Sequence, residues 1–123
     1  MKSNKPILVV DDDPDIRDSI ASALEIEGYA VLIAENGKAA LDLLLSLTEN
    51  ERPRCIMLDL MMPVMTGEEF LRTVQADYAD LKRIPVVVAS ANGSLLQSGL
   101  PASEVLKKPI DITELYRIAE QYN

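Results

Sequence analysis

Acidic side chains follow two of the apolar runs in this sequence. The stretch PILVVDDDPDIR (6–17) places Asp11, Asp12 and Asp13 directly after four apolar residues, and the run CIMLDL (55–60) carries Asp59. Carboxylates that cluster at the end of a buried run lose solvation and raise one another's pKa values. A divalent cation compensates for both effects, so these acids indicate a site for a metal ion and for phosphate.

A hydroxyl and an ammonium group follow two further apolar runs. Ser90 comes after VVVA (86–89), Lys107 ends EVLK (104–107), and Lys108 is the next residue. If these runs are parallel strands, all the polar residues lie at one edge of the sheet, where such folds bind ligands. One carboxylate can then attack a phosphoryl group while lysine and serine contact its oxygens. The set therefore suits phosphoryl transfer.

The available ligand types narrow the choice of metal. The chain has no histidine and a single cysteine, Cys55, within an apolar run. The missing histidine removes Ser-His and Cys-His catalysis, and Cys55 is interpreted as a buried hydrophobic residue rather than a reactive thiol. Oxygen ligands alone indicate Mg²⁺, or Mn²⁺, rather than zinc.

Short apolar runs alternate with amphipathic stretches, and this pattern predicts the elements that position the site. Strands are predicted at 7–10, 29–34, 55–60, 86–89 and 104–107. Helices are predicted from Pro14 to before Gly28, after caps at Asn36 and Thr66, and from Asp111 or Thr113 onward. The segment 95–101 predicts at most a short helix. No repeat or linker interrupts the pattern, so we expect one doubly wound α/β domain over residues 1–123 with a parallel sheet.

Charge and composition restrict the partners and the compartment. The formal net charge of −8 argues against direct binding to nucleic acid or to an anionic membrane surface. We recognise no signal peptide and no apolar run long enough to cross a bilayer. A single cysteine permits no intrachain disulfide and fits a reducing compartment, so we expect a cytoplasmic protein without membrane insertion.

Four segments in order, VVDDDP, MLDLMMP, VVVASA and LKKPID, resemble the signatures of the receiver domain of two-component response regulators, of the chemotaxis-regulator type. The resemblance covers nearly the whole chain. It implies a flavodoxin-like sheet with strand order 2-1-3-4-5, and the short span from Ser90 to Lys108 implies a shortened fourth helix. It also implies a phosphorelay partner, either a sensor histidine kinase or a histidine phosphotransfer protein.

The resemblance also assigns roles at the acidic end of the site. It makes Asp59 the phosphoacceptor and Asp11, Asp12, Asp59 and the backbone carbonyl of Met61 the metal ligands. Asp12 would be the more direct ligand and Asp11 would act largely through water. Asp13 would lie outside the site, near a helix cap.

At the other side of the site, Ser90, Ala91 and Lys108 would contact the phosphate. Lys107 would point elsewhere, although the sequence leaves it open as the site lysine. The Lys108–Pro109 bond is expected to be cis. By analogy with the family, the domain is not a conventional enzyme but catalyses its own Mg²⁺-dependent phosphorylation and dephosphorylation, and Met61 and Asn92 would influence the rate of phosphate loss.

One departure from the family pattern keeps other functions open. The family's switch aromatic on the fifth strand would fall at Val105, which puts the usual output surface in doubt. A phosphorylation-independent interaction module is therefore the alternative to a phosphoacceptor switch. A phosphatase of the aspartyl-phosphate type would need a second acid where Met61 stands. With no further domain after Asn123 in this sequence, we expect the domain either to dock to a downstream protein or to be part of a longer protein with an output domain.

Overall fold

The computed structural model of the chain describes residues 5–62, 64–90 and 102–122. Five parallel strands form one sheet, and four helices in the described ranges pack on its two faces. In chain order the elements are β1 Ile7–Val10, α1 Pro14–Ile26, β2 Val31–Ala34, α2 Gly37–Ser46, β3 Cys55–Asp59, α3 Gly67–Asp77, β4 Val86–Ser90, β5 Glu104–Lys107 and α4 Ile112–Gln121. Two single 3₁₀ turns, Glu49–Glu51 and Leu81–Arg83, precede β3 and β4.

The strand order is β2-β1-β3-β4-β5, with every neighbouring pair parallel. This confirms the predicted flavodoxin-like order. The register sets the strand ends level, since Val10 lies beside Leu58 and Asp59 lies beside Ala89. Residues that directly follow β1, β3, β4 and β5 therefore meet at one edge of the sheet, which we call the carboxyl edge.

Two apolar layers hold the sheet between the helices. One layer joins the sheet to α2 and α3 and contains Phe70, the only phenylalanine. The other joins the opposite face to α1 and α4 and contains Leu24 and Ile118, which have no exposed surface. The central strands β1, β3 and β4 are buried along their whole length, as their continuous apolar runs predict. Most of the core is aliphatic, so close packing of branched side chains stabilises the fold.

Side-chain caps begin each helix at the predicted position. Asp13 accepts hydrogen bonds from the backbone N–H groups of Asp15 and Ile16, which places it at the start of α1. Asn36 caps α2, and Asp111 rather than Thr113 caps α4. At α3, Thr66 and Glu69 form a reciprocal capping box. These caps fix where the chain leaves each loop at the carboxyl edge.

The second strand begins later than predicted, at Val31 rather than residue 29. Gly28 adopts a left-handed backbone with φ 90°, and the Tyr29 N–H donates to the carbonyl of Leu24. Gly28 and Tyr29 therefore complete the end of α1 before the strand starts, whereas the Ala30 carbonyl already accepts a hydrogen bond from the Ile7 N–H of β1. The predicted third strand also ends one residue early, at Asp59. The proposed short fourth helix, Ala91 and Asn92 lie outside the described residues.

No helix in the described ranges is both long and apolar enough to span a membrane.

Candidate functional site

Three carboxylates converge at the carboxyl edge. One oxygen of each of Asp11, Asp12 and Asp59 lies within 4.8 Å of the others. Asp11 and Asp59 are buried, with 3% and 5% of their surface exposed, whereas Asp12 is exposed. The structure thus brings together the three acids that the sequence singled out.

The turn after β1 separates the three consecutive aspartates. The Asp11 N–H donates to the carbonyl of Ala34, which keeps Asp11 attached to the end of β2. Its Oδ1 accepts a hydrogen bond of 2.9 Å from the Asp13 N–H. Asp13 itself turns away to cap α1. Asp13 is therefore a structural residue, as predicted, while the side chains of Asp11 and Asp12 face the cluster.

Asp59 is the last residue of β3 and is held by a hydrogen bond to the loop that follows. The backbone N–H of Met61 donates to Asp59 Oδ1 at 3.2 Å. Burial raises the pKa of Asp59, and the adjacent Asp11 charge adds to this rise, while Lys108 and the Met61 N–H partly offset it. The charged form of Asp59 is thus destabilised unless a cation compensates it.

Lys108 offsets part of this cost. Its Nζ lies 3.2 Å from Asp11 Oδ2 and 3.2 Å from Asp59 Oδ1, and its side chain is about one-fifth exposed. Burial lowers the pKa of Lys108, but the carboxylates of Asp59 and Asp11 outweigh that effect and raise it overall. Lys107 lies on β5 and is exposed. Lys108 is therefore the lysine that reaches the acids.

Two further sequence candidates, Ser90 and Pro109, lie at the same edge. Ser90 ends β4 and is buried, with 1% of its surface exposed. The Lys108–Pro109 peptide bond is cis, in agreement with the prediction. Ala91 lies outside the described residues. Val105 is partly buried and packs against the apolar layer of α2 and α3.

Arg17 contacts the site, but the sequence did not identify it as a site residue. Its Nη1 donates to the backbone carbonyl of Asp11 at 3.2 Å, and its backbone N–H donates to the carbonyl of Asp13. The guanidinium thus holds the main chain of the β1–α1 turn. Among the described residues, it forms no ion pair with any of the three carboxylates. Its position one helical turn after the cap is the signal that could have indicated this contact.

The donor set fits a hard divalent cation. Each acid offers a carboxylate oxygen, and the cluster contains no nitrogen or sulfur ligand. Two of the three acids are buried, so their mutual repulsion is strong when no cation compensates it. The acidic triad is therefore able to bind a metal ion.

The sequence matches the response regulator receiver domain over residues 7–120. Together with the fold and the acidic pocket, this match shows that the chain belongs to the response regulator receiver domains of two-component signalling.

Proteins of similar sequence support this assignment. The response regulator MprA of Mycolicibacterium vanbaalenii is 39% identical over 113 residues, which are 89% of this chain and 46% of MprA. The chain thus spans about half the length of the MprA relatives it matches. A protein of Leptolyngbya boryana described as an "Uncharacterized 14.6 kDa protein in sodA1 3'region" is 38% identical, with 94% of this chain and 88% of that protein covered.

Solved structures share the fold. The chemotaxis protein CheY4 of Vibrio cholerae superposes with a TM-score of 0.84 at 28% identity, covering 98% of this chain and 100% of CheY4. The response regulator TrrA of Thermotoga maritima, solved in complex with Mg(2+)-BeF, gives a TM-score of 0.79 at 30% identity, covering 97% and 99% of the two chains.

Proposed function

We propose that this domain is the phosphoacceptor switch of a two-component phosphorelay, with Asp59 as the acceptor. The observation that supports this proposal is the proximity of Asp59 to Lys108, at 3.2 Å, and to the acids Asp11 and Asp12. A buried carboxylate has one cationic partner there and two neighbours able to share a metal ion. That combination suits a group that must accept a highly charged phosphoryl group.

The transfer takes place from a phosphohistidine of a partner protein. A carboxylate oxygen of Asp59 forms a bond to phosphorus as the bond between phosphorus and the imidazole nitrogen breaks. The electron pair of that bond stays on the imidazole nitrogen. A ring that is protonated on its other nitrogen leaves as neutral imidazole, and an unprotonated ring takes up a proton from solvent. The product is an acyl phosphate on Asp59.

Mg²⁺, or Mn²⁺, when bound, neutralises charge on the transferring phosphoryl oxygens. Asp11, Asp12, Asp59 and the Met61 carbonyl would hold it. Lys108 exchanges its carboxylate partners for a phosphoryl oxygen, and the Ser90 hydroxyl donates a second hydrogen bond. These movements change the surface that a downstream protein, or an output domain of a longer chain, recognises.

Several observations support this assignment of partners and setting. Membership of the receiver family supports a sensor histidine kinase or a histidine phosphotransfer protein as the donor. TrrA, which was solved with Mg(2+)-BeF, supports Mg²⁺ as the cofactor. The charge of −8 disfavours direct nucleic-acid contact. We further propose that residues 1–123 form a single domain that works in the cytoplasm.

The test is phosphorylation in the absence of the unknown partner. The protein is incubated with Mg²⁺ and acetyl phosphate, and the adduct is measured by intact mass and by its lability to hydroxylamine. We expect one labile phosphoryl group in the wild type and none in Asp59→Asn. Asp77→Asn is the matched control, since Asp77 is exposed at the far end of α3, and it should remain labelled. A labelled Asp59→Asn variant would refute the assignment.

Val105 favours one alternative function, a receiver-like interaction module that signals without phosphate. A valine that packs against the α2–α3 layer has no ring to swing between two positions. The same experiment separates the two functions, because the alternative predicts no labile adduct at saturating Mg²⁺ even in the wild type.

A further inference from the structure

Among the described residues, several hydrogen bonds hold the loop between β3 and α3, one of them from the Leu60 N–H to the carbonyl of Ala89 on β4. Three further points of attachment bear on the position of Met61. The Met61 N–H donates to Asp59 Oδ1 at 3.2 Å, and the Gly67 N–H donates to the carbonyl of Leu60 at 3.1 Å. The third point is on another element, since the N–H of Gly37 in α2 donates to the carbonyl of Met65 at 3.3 Å. The phosphoacceptor strand and α2 are thus connected through one short loop.

Val64, within this loop, is held in an unfavourable backbone conformation. Its φ is 70°, in the left-handed region that β-branched residues rarely adopt. Its side chain is 74% exposed, so side-chain packing does not account for the conformation. Such a conformation persists only where the surrounding structure imposes it. The hydrogen bonds at the two ends of the loop therefore impose the left-handed conformation of Val64.

Gly37 makes the hydrogen-bonded contact between the loop and α2 possible. A Cβ added at this position would lie 2.9 Å from Met65 Cγ, 3.1 Å from Met65 Sδ and 3.0 Å from the Met65 carbonyl oxygen. Gly37 is the first residue of α2 and has no left-handed backbone, unlike Gly28. The position thus uses glycine for close approach to Met65 and not for backbone freedom.

We propose that Gly37 is a positioning residue for the phosphoacceptor loop. By allowing α2 to contact Met65, it fixes the far end of the loop and, through the loop, the place of Met61 beside Asp59. The consequence for metal binding rests on the proposed function, because it assumes that Met61 helps to hold Mg²⁺. The consequence for the Met61 amide does not depend on it.

The experiment compares Gly37→Ala with two further variants by amide NMR in metal-free protein. We expect Gly37→Ala to shift the Met61 amide resonance and to speed its hydrogen exchange by about tenfold. The double variant with Gly37→Ala and Met65→Ala lacks the Met65 side-chain atoms that the new Cβ would meet. It should therefore partly restore the position of the Met61 amide resonance and its slow hydrogen exchange. Because alanine favours helix more than glycine does, weakening of α2 cannot explain the effect.

Ala39→Gly is the matched control in the same helical turn. It lowers helix propensity and adds no atom near Met65, so we expect a lower Tm and an unchanged Met61 amide. A Met61 amide that is unaffected by Gly37→Ala would overturn the proposal, as would an equal effect of Ala39→Gly.

Mg²⁺ titration of the same variants separates this proposal from the proposed function. We expect the wild type to bind Mg²⁺ and Gly37→Ala to bind it about fivefold more weakly, with partial recovery in the double variant. A wild type that binds no Mg²⁺ would count against the proposed function, while the Met61 amide would still decide the role of Gly37.

Discussion

The backbone N–H of Lys108 donates a hydrogen bond of 2.9 Å to the carbonyl of Ser90. This bond continues the β4–β5 ladder one step beyond the paired residues Ser90 and Lys107. Successive side chains along a strand point to opposite faces, so Lys107 projects into solvent and Lys108 projects toward the acids. The main-chain register therefore decides which of two adjacent lysines serves the site.

Replacement of Lys108 should separate metal binding from phosphoryl transfer. Lys108→Met removes a positive charge next to Asp11 and Asp59, so Mg²⁺ should bind at least about threefold more tightly. The rate of labelling by acetyl phosphate should fall by about a hundredfold, because one donor to the phosphoryl oxygens is lost. Isothermal titration with Mg²⁺ and a labelling time course measure the two effects.

Lys107→Met is the control for charge alone. It removes the same charge from an exposed position and should change both quantities by less than about twofold. Equal effects of the two substitutions would contradict the assignment of Lys108 as the site lysine.

The ionisation of Asp59 should lower the stability of the metal-free protein as pH rises. Its pKa in the folded protein is raised by burial above the ordinary value, so the folded state holds the proton more tightly than the unfolded chain does. The free energy of unfolding therefore falls as pH rises from the ordinary pKa through the raised one, and it stays reduced at higher pH.

Asp59→Asn removes this penalty and should be more stable than the wild type at about pH 7, with a difference that narrows toward about pH 4. Urea unfolding in the presence of a chelator measures both proteins across this range. The exposed Asp77→Asn should show no such trend. A wild type that is more stable than Asp59→Asn at neutral pH would show that the ion pair with Lys108 outweighs burial.

Relief of the Val64 backbone should stabilise the fold. Asparagine tolerates the left-handed region better than a β-branched residue does, so Val64→Asn should raise the free energy of unfolding by about 1 kcal/mol. Val64→Ile keeps the branched Cβ and should bring no gain. Chemical denaturation of the three proteins tests this prediction, and equal stability of all three would indicate that residue 64 is unstrained.

Cys55 should serve as a probe of unfolding, because its thiol should not react in the folded protein. It is fully buried, and burial raises the pKa of its thiol to about 12, so almost no thiolate exists near neutral pH. Modification by a thiol reagent should be slower in the native protein than in urea by about a thousandfold or more. Ser46→Cys, at an exposed position of α2, supplies the fast-reacting control in the same chain. Rapid native labelling of Cys55 would contradict its buried position.

Periodicity and turn chemistry predicted the existence of every described strand and α-helix, but not the two 3₁₀ turns. The runs at β1 and β3 are short and apolar, and they stay buried because helices cover both faces of the sheet. The late start of β2 was missed because the backbone N–H groups of Gly28 and Tyr29 bond back to the end of α1, which a pattern of side-chain types does not reveal. The strand order came from the family resemblance, since periodicity carries no information on which strands are neighbours.

The parts of the site that lie at the ends of strands could be predicted from the sequence. The acids after β1 and β3 and the lysine after β5 are adjacent because parallel strands share an edge. The Arg17 contact with the Asp11 carbonyl and the packing of Met65 on Gly37 were not predicted. Both depend on where side chains and loops lie after the helices have docked, and a glycine at a helix start gives the same sequence signal whether it serves a cap or a close approach.

The ion pair between Lys108 and Asp11 joins positions 97 residues apart in the chain. A ribosome-bound or clipped polypeptide that ends before β5 would hold all three aspartates but lack their balancing amine. Under the proposed function, such a fragment lacks part of the acceptor site, so we expect only chains that include β5 to become labelled.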